Sequence, residues 1–450
     1  MVSKRPSTGR IDRRRFIEAA GAAGIAAFAG CTGGSDGGSE GTSGGDTDES
    51  TSASEGTTAG NAGGDVTTLS FWTLFTGGDG AAMKRLVQKF NDEHDDVQIQ
   101  RERQPFDQYY EKLYTSMTGG SAPDLSVLHS SKQLQFADGS IPLDDYTSGD
   151  PYVDSIWERT APTGTHYGLP LGTFVYGLYY NKDIFEEAGL DPESPPTNYQ
   201  EFEAAANAIT ENTDKLAFNP EPYGAPYNYM FTAWVKSAGG EFLNEDKTAA
   251  AFDSPAGRSV GQFYRDITEN GWDKADASSM RGVKAFRNGD LGMTLNGTWF
   301  QLVLRDLDIN WGHGKPWVLP DAEEKLTWGG THIINVPRQN GLSDEEIQTR
   351  VDAAEWLTQE GKIWATEAGH VPTLDGVSSQ LEDTEVWDLT LKNYVEMVND
   401  NQVAYWPIVE NRDDYTRPVD QNVAQIYSQQ IEPDEGIANA AKQVTDNLQS

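Results

Sequence analysis

Six histidines are the first residues to consider for chemistry, because histidine supplies metal ligands and acid–base catalysts near neutral pH. They stand at positions 94, 129, 166, 313, 332 and 370. No two of them have the spacing of a His-Glu-x-x-His zinc site, and the chain contains no Walker-type phosphate loop. The pattern disfavours a zinc hydrolase. We expect no catalytic residue, no metal and no cofactor.

Carboxylates are the second candidates, because a glycoside hydrolase works with two inward-facing carboxyl groups at a defined separation. The chain has 70 acidic residues, two of which precede position 31, so 68 follow it. In so acidic a chain some pair can always be proposed, which makes any one pair uninformative. A secreted glycosidase therefore stays only as an enzyme alternative.

Aromatic side chains beside turns are the third candidates, because their flat faces can stack on a ligand ring. Trp72 ends an apolar alternation, Trp299 follows Asn-Gly-Thr, and Trp328 directly precedes a glycine pair. The other interpretation of such residues is packing in the core, which we favour for Trp356 and Trp364 on a helical pattern.

The elements that must position these residues alternate between strand and helix. Val66–Leu74 alternates apolar and polar residues, and a helix with Met83, Leu86, Val87 and Phe90 on one face follows a glycine-rich turn. Further strands are predicted from Val97 and Asp124, with a helix from Phe106 between them. This order predicts a parallel sheet with helical crossovers, whose ligands lie beyond the strand ends, around 72–78 and 128–131.

The first 30 residues are typical of an export signal. Arg13-Arg14-Arg15-Phe16-Ile17 is similar to a twin-arginine motif, and the apolar run that follows is too short to span a bilayer. Phe28-Ala29-Gly30-Cys31 is similar to a lipobox, which predicts lipidation of Cys31. Residues 31–65 are rich in glycine, serine, threonine and acid, which predicts a disordered acidic tether. We expect the body to sit at the extracellular face of the membrane, held there only by the lipid, or to be secreted.

Charge excludes one class of partner. Of the 34 basic residues six lie in the first 30, so residues 31–450 hold 28 basic and 68 acidic side chains, a net charge of −40. Nucleic acid is excluded as a partner by this repulsion. The composition is that of a protein kept soluble in high salt, and we expect the fold to need it. About 385 residues follow the tether, which predicts two lobes.

Several stretches, taken in order, resemble the family 1 extracellular solute-binding proteins, which include the maltose-binding proteins and deliver sugars to ATP-driven importers. The stretches are "FWTLFTGG", "GGSAPDLSVL", "YGLPLGTFVYGLYYNKDIFEEAGL", "AWVKSAGGEFL", "AFRNGDLGMTLNGTWF", "WGGTHIINVP", "AAEWLTQEGKIWATEAGHVPT" and "TRPVDQNVAQIYS". The resemblance implies an α/β fold of two lobes, each with a mostly parallel sheet flanked by helices, and a ligand cleft between them. We place the N-terminal lobe at 66–172 with 296–335, and the C-terminal lobe at 173–295 with 336–450.

The resemblance also implies the function and the ligand contacts. It implies a monomeric receptor that closes on a sugar or oligosaccharide and presents it to the permease subunits of an ABC importer. The implied or expected ligand contacts are Trp72, Phe75, His129, Ser130, Thr173, Phe174, Tyr227, Trp299, Trp328, Thr331, His332 and Arg417. Arg417 is equally able to form a surface ion pair with Asp413 or Asp414, and the loop with Tyr223, Tyr227 and Tyr229 is equally able to pack at the surface.

The second alternative to a sugar receptor is a binding protein for a solute that is not a sugar. A phosphate ligand such as glycerol phosphate favours a helix N-terminus together with several basic groups. The turn at Gly77-Gly78 offers the helix N-terminus but not the basic groups. A metal chelate is a further possible solute. A polyamine favours carboxylates over aromatic faces, and the sequence leaves that choice open.

Overall fold

The structure is a computed structural model that describes residues 66–221, 227–278, 280–305 and 307–450. The predicted signal, Cys31, the tether and Tyr223 lie outside the described residues. A search of the described residues for a helix with the length and hydropathy of a membrane span finds none.

Strands and helices alternate through the described chain. The strands are β1 (Thr67–Thr73), β2 (Val97–Arg103), β3 (Leu125–His129), β4 (Leu169–Asn181), β5 (Leu216–Asn219), β6 (Leu291–Gly297), β7 (Trp311–Gly314), β8 (Thr327–Asn335) and β9 (Val403–Tyr405). The helices are α1 (Gly77–Glu93), α2 (Phe106–Gly119), α3 (Gln133–Phe136), α4 (Asp154–Arg159), α5 (Lys182–Glu187), α6 (Tyr199–Asn212), α7 (Asn228–Ser237), α8 (Pro255–Glu269), α9 (Arg281–Arg287), α10 (Phe300–Arg305), α11 (Asp344–Gln359), α12 (Gly361–Ala368), α13 (Lys392–Asn399), α14 (Asp413–Tyr427) and α15 (Pro433–Leu448). Short 3₁₀ turns lie at Ser130–Lys132, Ala137–Gly139 and Ser378–Leu381, and a π-helical turn lies at Trp387–Leu391.

The first three strands form the predicted parallel arrangement. β1 pairs in parallel with both β2 and β3, and α1 and α2 make the crossovers. The helix α1 buries the face that the sequence predicted, with Met83, Leu86, Val87 and Phe90 inside. Apolar residues three and four apart share one side of a helix, which explains why this part of the fold could be predicted locally.

The strand β4 connects the two halves of the sheet. Along its 13 residues every position is buried, and it pairs with β8 through Leu169–Val175 and with β6 through Tyr176–Tyr180. The sequence suggested two strand-like pieces here, and the structure joins them across an irregularity at Pro170–Gly172. The strand ends at Asn181, whose side chain caps α5 by accepting from the Asp183 and Ile184 amides.

The sheet order is β2-β1-β3-β8-β4-β6-β5, with β7 beside β4 and β9 beside β8. The predicted α/β class is confirmed, and the sheet is mixed where the sequence predicted mostly parallel pairing. The difference arises because β4 runs antiparallel to β6, β7 and β8, and β3 runs antiparallel to β8. The predicted parallel pairing rests on crossovers between consecutive strands, whereas these antiparallel pairs join strands that are not consecutive in the chain.

Two large hydrophobic cores flank the crossing strands. The first core contains Leu69 of β1, Leu171 of β4 and Ile333 of β8. The second core contains Tyr176 of β4 and Trp328 of β8, from the other ends of the same two strands. β4 and β8 therefore pass from one core into the other side by side.

Core packing bears on the lobe boundaries, which stay a prediction. Val351, Leu357 and Trp364, on α11 and α12, belong to the first core. The predicted C-terminal lobe includes those helices because it takes in all of 336–450. Their packing instead argues for assigning 336–374 to the first lobe, since a helix belongs with the core that buries its apolar face.

Candidate ligand-binding site

A cleft of about 310 Å³ lies where the two crossing strands pass between the cores. It is lined by His129, Ser130, Ser131, Glu158, Arg159, Pro162, Phe174, Lys247, Gly329, Gly330, Tyr405, Trp406, Pro407 and Ile408. Of the residues before Phe174, His129 ends β3, Ser130 and Ser131 follow it, and Glu158 and Arg159 end α4. Lys247 and the segment 405–408 belong to the opposite wall. We call this space the inter-core cleft.

Phe174 and the glycine pair are the parts of β4 and β8 that reach the inter-core cleft. The register sets Phe174 of β4 directly opposite Gly330 of β8. A Cβ atom at Gly330 would lie 2.4 Å from the Phe174 ring, and one at Gly329 would lie 2.7 Å from the Phe174 carbonyl oxygen. The glycine pair is therefore required for the Phe174 ring to lie against the strand.

An aromatic cluster packs behind this surface. The Trp328 and Tyr229 rings stack with 4.1 Å between centroids and 2° between planes, and Trp406 lies 4.8 Å from Trp328. Phe174 completes the cluster at 5.3 Å from Trp328. Trp328 is 2% exposed and Trp406 is 7% exposed. Trp406 therefore lines the cleft and Trp328 supports it from below.

Two indole groups of this cluster have unused hydrogen-bond donors. The Nε1 atoms of Trp328 and Trp406 are buried and have no hydrogen-bond partner within the part of the chain that the structure describes. A buried donor without an acceptor costs about 1–3 kcal/mol. Trp406 therefore offers a donor that a ligand oxygen in the cleft can satisfy.

Three histidine rings lie close together at one wall of the site, and His129 is the one that lines the cleft. His129 lies 4.8 Å from His332, which lies 5.4 Å from His370, measured between ring centroids. Burial, with the charges of Arg412, Lys132 and His370, lowers the pKa of His129 to about 3, and burial lowers the pKa of His332 well below its ordinary value. His129 and His332 are therefore neutral at physiological pH and act as hydrogen-bonding groups, not as cations.

The hydrogen bonds of His129 decide which of its nitrogens carries the proton. The Tyr110 hydroxyl accepts from the His129 backbone amide and bonds to His129 Nδ1. If the hydroxyl donates to Nδ1, the imidazole proton is on Nε2. His129 then presents an N–H donor at the end of β3.

The predicted threonines form a pair inside the crossing strands. Thr173 and Thr331 are register partners, and their hydroxyl oxygens lie 3.2 Å apart. Both residues are buried, and the Thr173 amide also donates to the Val371 carbonyl. Their position stiffens β4 and β8 beside Phe174 and Gly330.

Of the predicted contact residues, His129, Ser130 and Phe174 line the inter-core cleft. Trp328, Thr331 and His332 lie directly behind them. Phe75 is also buried there, in an edge-to-face contact with His332 at 4.9 Å. The structure thus brings together residues from β3, β4 and β8 that are far apart in the sequence.

Four further predicted contacts, in addition to Phe75, Thr173, Trp328, Thr331 and His332, are not part of the cleft lining. Trp72 packs at the first core, with the Lys112 ammonium 4.9 Å from its ring. Tyr227 is buried in the second core against Tyr264 and Tyr427, because the helix α7 that follows it turns the ring inward. Trp299 is partly buried, with 6.1 Å between its ring centroid and that of Phe174 and 5.9 Å to that of Tyr176.

Arg417 is the fourth of these residues. It lies on the exposed side of α14, with its helical neighbours Thr416 and Pro418 buried. The alternative for Arg417, a surface ion pair with Asp413 or Asp414, is not formed within 4.0 Å among the described residues. The helical period thus carries Arg417 away from the core side of α14.

Sequence reasoning missed the residues that form the second wall. Tyr405 and Trp406 line the cleft, the Arg159 guanidinium lies 4.3 Å from the Tyr405 centroid, and the Arg412 guanidinium lies 4.5 Å from the Trp406 centroid. The only signal was an aromatic pair directly before Pro407, the same turn-edge pattern that singled out Trp328. Nothing in the spacing indicated the two arginines.

Contacts between polar side chains join the two walls. Lys132 Nζ lies 2.9 Å from Asp413 Oδ1, and Arg412 Nη1 donates to Ser131 Oγ over 3.3 Å. In the described residues, histidine, cysteine and carboxylate side chains do not gather into a group of three or more that could hold a metal ion. The arrangement can therefore hold a polar solute between opposed surfaces by ring contacts and hydrogen bonds.

A mixed sheet that passes between two cores, with an aromatic and polar cleft where it crosses, defines a two-lobed binding protein. Residues 76–362 match the family described as "Bacterial extracellular solute-binding protein". That is more than half of the chain, and the chain belongs to this family.

Individual proteins are similar at a lower level. The chain is 30% identical over 209 residues to the arabinooligosaccharide-binding protein of Halalkalibacterium halodurans, covering 45% of this chain and 46% of that protein. It is 24% identical over 341 residues to the sn-glycerol-3-phosphate-binding periplasmic protein UgpB of Escherichia coli (strain K12), covering 68% and 76%. The crystal structure of a cyclic alpha-maltosyl-1,6-maltose binding protein from Arthrobacter globiformis aligns with a TM-score of 0.71 and 25% identity over 85% of this chain and 99% of that one. The two-lobed fold is thereby confirmed.

Proposed function

We propose that the inter-core cleft binds a sugar or oligosaccharide. The observation that carries the proposal is the lining of the cleft: Phe174 and Trp406 offer ring faces or edges, and His129 and Ser130 offer neutral hydrogen-bonding groups. A sugar has weakly polar ring faces flanked by hydroxyl groups, which match such a surface. The names of the arabinooligosaccharide-binding and maltosyl-maltose-binding relatives support the same ligand class.

Binding is coupled to the relative position of the two walls. Ser131 and Lys132 follow β3, while Arg412 and Asp413 stand at the start of α14, and these residues meet across the cleft. A ligand that touches both walls stabilises the arrangement in which the walls are close, because only that arrangement gains all of the contacts. The protein then works by capture and closure, without covalent chemistry on the sugar.

The proposed partners follow from the family. We assign the closed form as the one presented to the permease subunits of an ABC importer, with the protein acting as a monomer at the extracellular face. Export through a twin-arginine signal over 1–30, lipidation of Cys31 and a tether over 31–65 remain part of this proposal. Adaptation to high salt is also part of this proposal, and the net charge of −36 supports it.

The test is a titration of the full chain with sugars in molar KCl, followed by intrinsic tryptophan fluorescence and the melting temperature Tm. The panel contains arabinotriose, maltotriose and their monosaccharides. We expect a saturable response and a rise in Tm, since ligand at about 100 times its Kd adds roughly 2.7 kcal/mol to stability. Product analysis after prolonged incubation should show unchanged sugar, and turnover would overturn the receptor assignment.

A matched pair of variants locates the site. Trp406→Ala removes a ring and a free N–H donor from the cleft and should weaken binding by at least about tenfold, or about 1.4 kcal/mol. The control is Trp72→Ala, which removes the same side chain from the edge of the first core. Equal losses of affinity in the two variants would argue against the inter-core cleft as the site.

The polyamine alternative is disfavoured by the same geometry. A cationic ligand requires aromatic faces that are open to it and carboxylates nearby. Here the Tyr405 and Trp406 faces already carry the guanidinium groups of Arg159 and Arg412. A second cation at those faces would meet like charge.

A further inference from the structure

The inter-core cleft carries a net positive charge, although the protein as a whole is strongly negative. The whole chain has 34 basic and 70 acidic residues. The charged residues that line the cleft are Arg159, Lys247 and Glu158, a net charge of +1. Directly behind the lining, Arg412 adds one positive charge, while Lys132 and Asp413 cancel as an ion pair. The cleft is thus cationic inside an acidic protein.

Asp414, the next charged group on the second wall, offsets nearly one positive charge at neutral pH, because a carboxyl group with a pKa of about 6 is then mostly ionised. The lining, Arg412 and Asp414 together keep a net charge of about +1. Asp414 follows Asp413 on α14, and its side chain accepts from the Asn411 amide. Burial and the adjacent Asp413 charge raise the pKa of Asp414 to about 6. The lining histidine, His129, is neutral because its pKa is lowered to about 3.

Arg159 has donors that the protein does not use. Its guanidinium lies over the Tyr405 ring, and it forms no ion pair within 4.0 Å in the ranges the structure describes. Stacking on a ring occupies the face of a guanidinium and leaves its five N–H donors in the plane. That fork lies at the edge of the cleft.

Arg412 repeats the arrangement on the neighbouring ring. Its guanidinium lies over Trp406, one N–H group donates to Ser131, and Nε is buried without a hydrogen-bond partner among the described residues. The nearest carboxylate oxygen, on Asp413, is 4.0 Å from Nε and is engaged by Lys132. A buried guanidinium N–H that is left unpaired is costly unless a ligand accepts from it.

Lys247 completes the cationic set from the side of the second core. It stands at the tip of a turn between Leu243 and Ala250, with φ of 56°, and its ammonium lies 3.3 Å from the Ile408 carbonyl oxygen. A left-handed backbone at a lysine costs about 1 kcal/mol or more. This backbone holds the ammonium against the cleft segment 405–408, and Lys247 forms no ion pair within 4.0 Å among the described residues.

We propose that the ligand of the inter-core cleft carries an anionic group, a carboxylate or a phosphate ester, which Arg159 binds through its planar N–H fork, with Lys247 beside it and the Arg412 charge behind the lining. The inference deepens the proposed function, because it assigns an acidic sugar in place of a neutral one. Guanidinium forks match the paired oxygens of carboxylate and phosphate groups, which neutral sugars lack.

The test compares charged and neutral forms of the same molecules at constant ionic strength. The probes for the full chain are trigalacturonate against its methyl ester, sn-glycerol 3-phosphate against glycerol, and maltotriose as a neutral oligosaccharide. Tryptophan fluorescence gives each Kd. We expect at least one charged probe to bind about tenfold or more tightly than its neutral counterpart. Preference for trigalacturonate identifies a carboxylate, and preference for the phosphate ester identifies a phosphate.

Variants of Arg159 assign the preference to the cleft. Arg159→Gln should abolish most of the preference for the charged probe, and Arg159→Lys should restore part of it, since lysine keeps the charge without the fork. Arg287→Gln is the matched control, because Arg287 is also an exposed arginine and lies on α9. Circular dichroism confirms that each variant is folded.

The outcomes distinguish the proposal of an anionic ligand from the proposal that the cleft binds a sugar. Equal or tighter binding of maltotriose, unchanged by Arg159→Gln, overturns the anionic ligand and leaves the carbohydrate receptor intact. A preference for sn-glycerol 3-phosphate with no sugar bound supports the anionic ligand and overturns the carbohydrate assignment. A folded protein that binds none of the probes overturns both.

Discussion

Lys132 and Asp413 form an ion pair, with 2.9 Å between Nζ and Oδ1, although 281 residues separate them in the chain. Lys132 follows β3 at the first core, and Asp413 begins α14 at the second core. The lysine side chain is 4% exposed and the aspartate side chain is 44% exposed. The pair therefore connects the two cores at the edge of the cleft, and the lysine depends on it more than the aspartate does.

The first prediction is that Asp413→Asn lowers the free energy of unfolding by about 1–2 kcal/mol at neutral pH, a range reduced for the solvent exposure of Asp413. The loss arises because the buried Lys132 ammonium is left without its counter-charge. Urea unfolding measures it. Glu193→Gln is the control, since Glu193 pairs with Lys182 but is 73% exposed. A penalty no larger than that of the control would contradict the structural role of the pair.

The same pair predicts a pH dependence. Burial raises the pKa of Asp413, but Lys132 and then Arg412 outweigh burial, so that the pKa is lowered. A lowered carboxyl pKa contributes stability that is present above the unfolded value of about 3.9 and is lost as the pH falls through the folded value. The difference in unfolding free energy between the wild type and Asp413→Asn should therefore shrink below about pH 4. A difference that grows in acid would reverse the assigned sign.

Asp420 should show the opposite pH dependence. Burial raises its pKa to about 6, although the Asn228 amides donate to it and partly offset this effect. The neutral acid is favoured in the fold, so its contribution is present below about pH 4 and is lost as the pH rises through about 6. A shift of about two units corresponds to about 3 kcal/mol.

The measurement for Asp420 is the unfolding free energy from about pH 4 to about pH 7 in molar KCl. Asp420→Asn should lose less stability over this range than the wild type, because an amide does not ionise. The buried Glu221 carboxyl, whose pKa is also raised, is present in both proteins. Asp214→Asn, at an 89% exposed side chain, should keep the slope of the wild type. An Asp420→Asn profile parallel to the wild type would refute the raised pKa.

Gly330→Ala should damage the ligand site more than it damages the fold. The added methyl group would lie 2.4 Å from the Phe174 ring and force that ring to move, at a cost of about 1–3 kcal/mol in stability. Because Phe174 lines the cleft, we expect ligand affinity to fall by about tenfold or more. Gly119→Ala is the control, since a Cβ atom there meets no atom within 4 Å. Unchanged affinity in Gly330→Ala would remove Phe174 from the binding surface.

Salt should stabilise the whole protein. A net charge of −36 gives repulsion between carboxylates, which added ions screen over about 10 Å at 0.1 M and about 3 Å at 1 M. We expect Tm to rise by several degrees from low to molar KCl. A neutral osmolyte at matched osmolality should produce a smaller rise. A Tm that does not change with KCl would contradict the predicted salt requirement.

The sequence was most informative where structure depends on neighbours along the chain. β1, α1, β2, α2 and β3 were predicted from alternating and helical patterns, because a pattern of period 2 or 3.6 already defines which face is buried. The sequence was less informative about the relative direction of paired strands. β4 is buried at every position, and such a run does not show whether its partners are parallel or antiparallel.

The residues of the candidate site also differ in how far the sequence could predict them. His129, Ser130 and Phe174 were predicted as contacts because they lie in or beside stretches that resemble the family, and the structure brings them to one cleft. Tyr227 stays a predicted contact, although the structure buries it in the second core, because a loop tyrosine and a core tyrosine look alike in sequence until the packing of α7 is known. Arg159 and Arg412 were missed because a cation becomes part of a site only through what it faces.

By itself, the sequence determined the family, the α/β class and the acidic character of this protein, since these depend on composition, local pattern and ordered motifs. Only the tertiary structure decided which rings, cations and hydroxyl groups meet in the cleft. Contacts such as Arg159 over Tyr405 and Lys132 with Asp413 join residues hundreds of positions apart. They exist because β4 and β8 pass side by side between two cores, a relationship that no local stretch of sequence encodes.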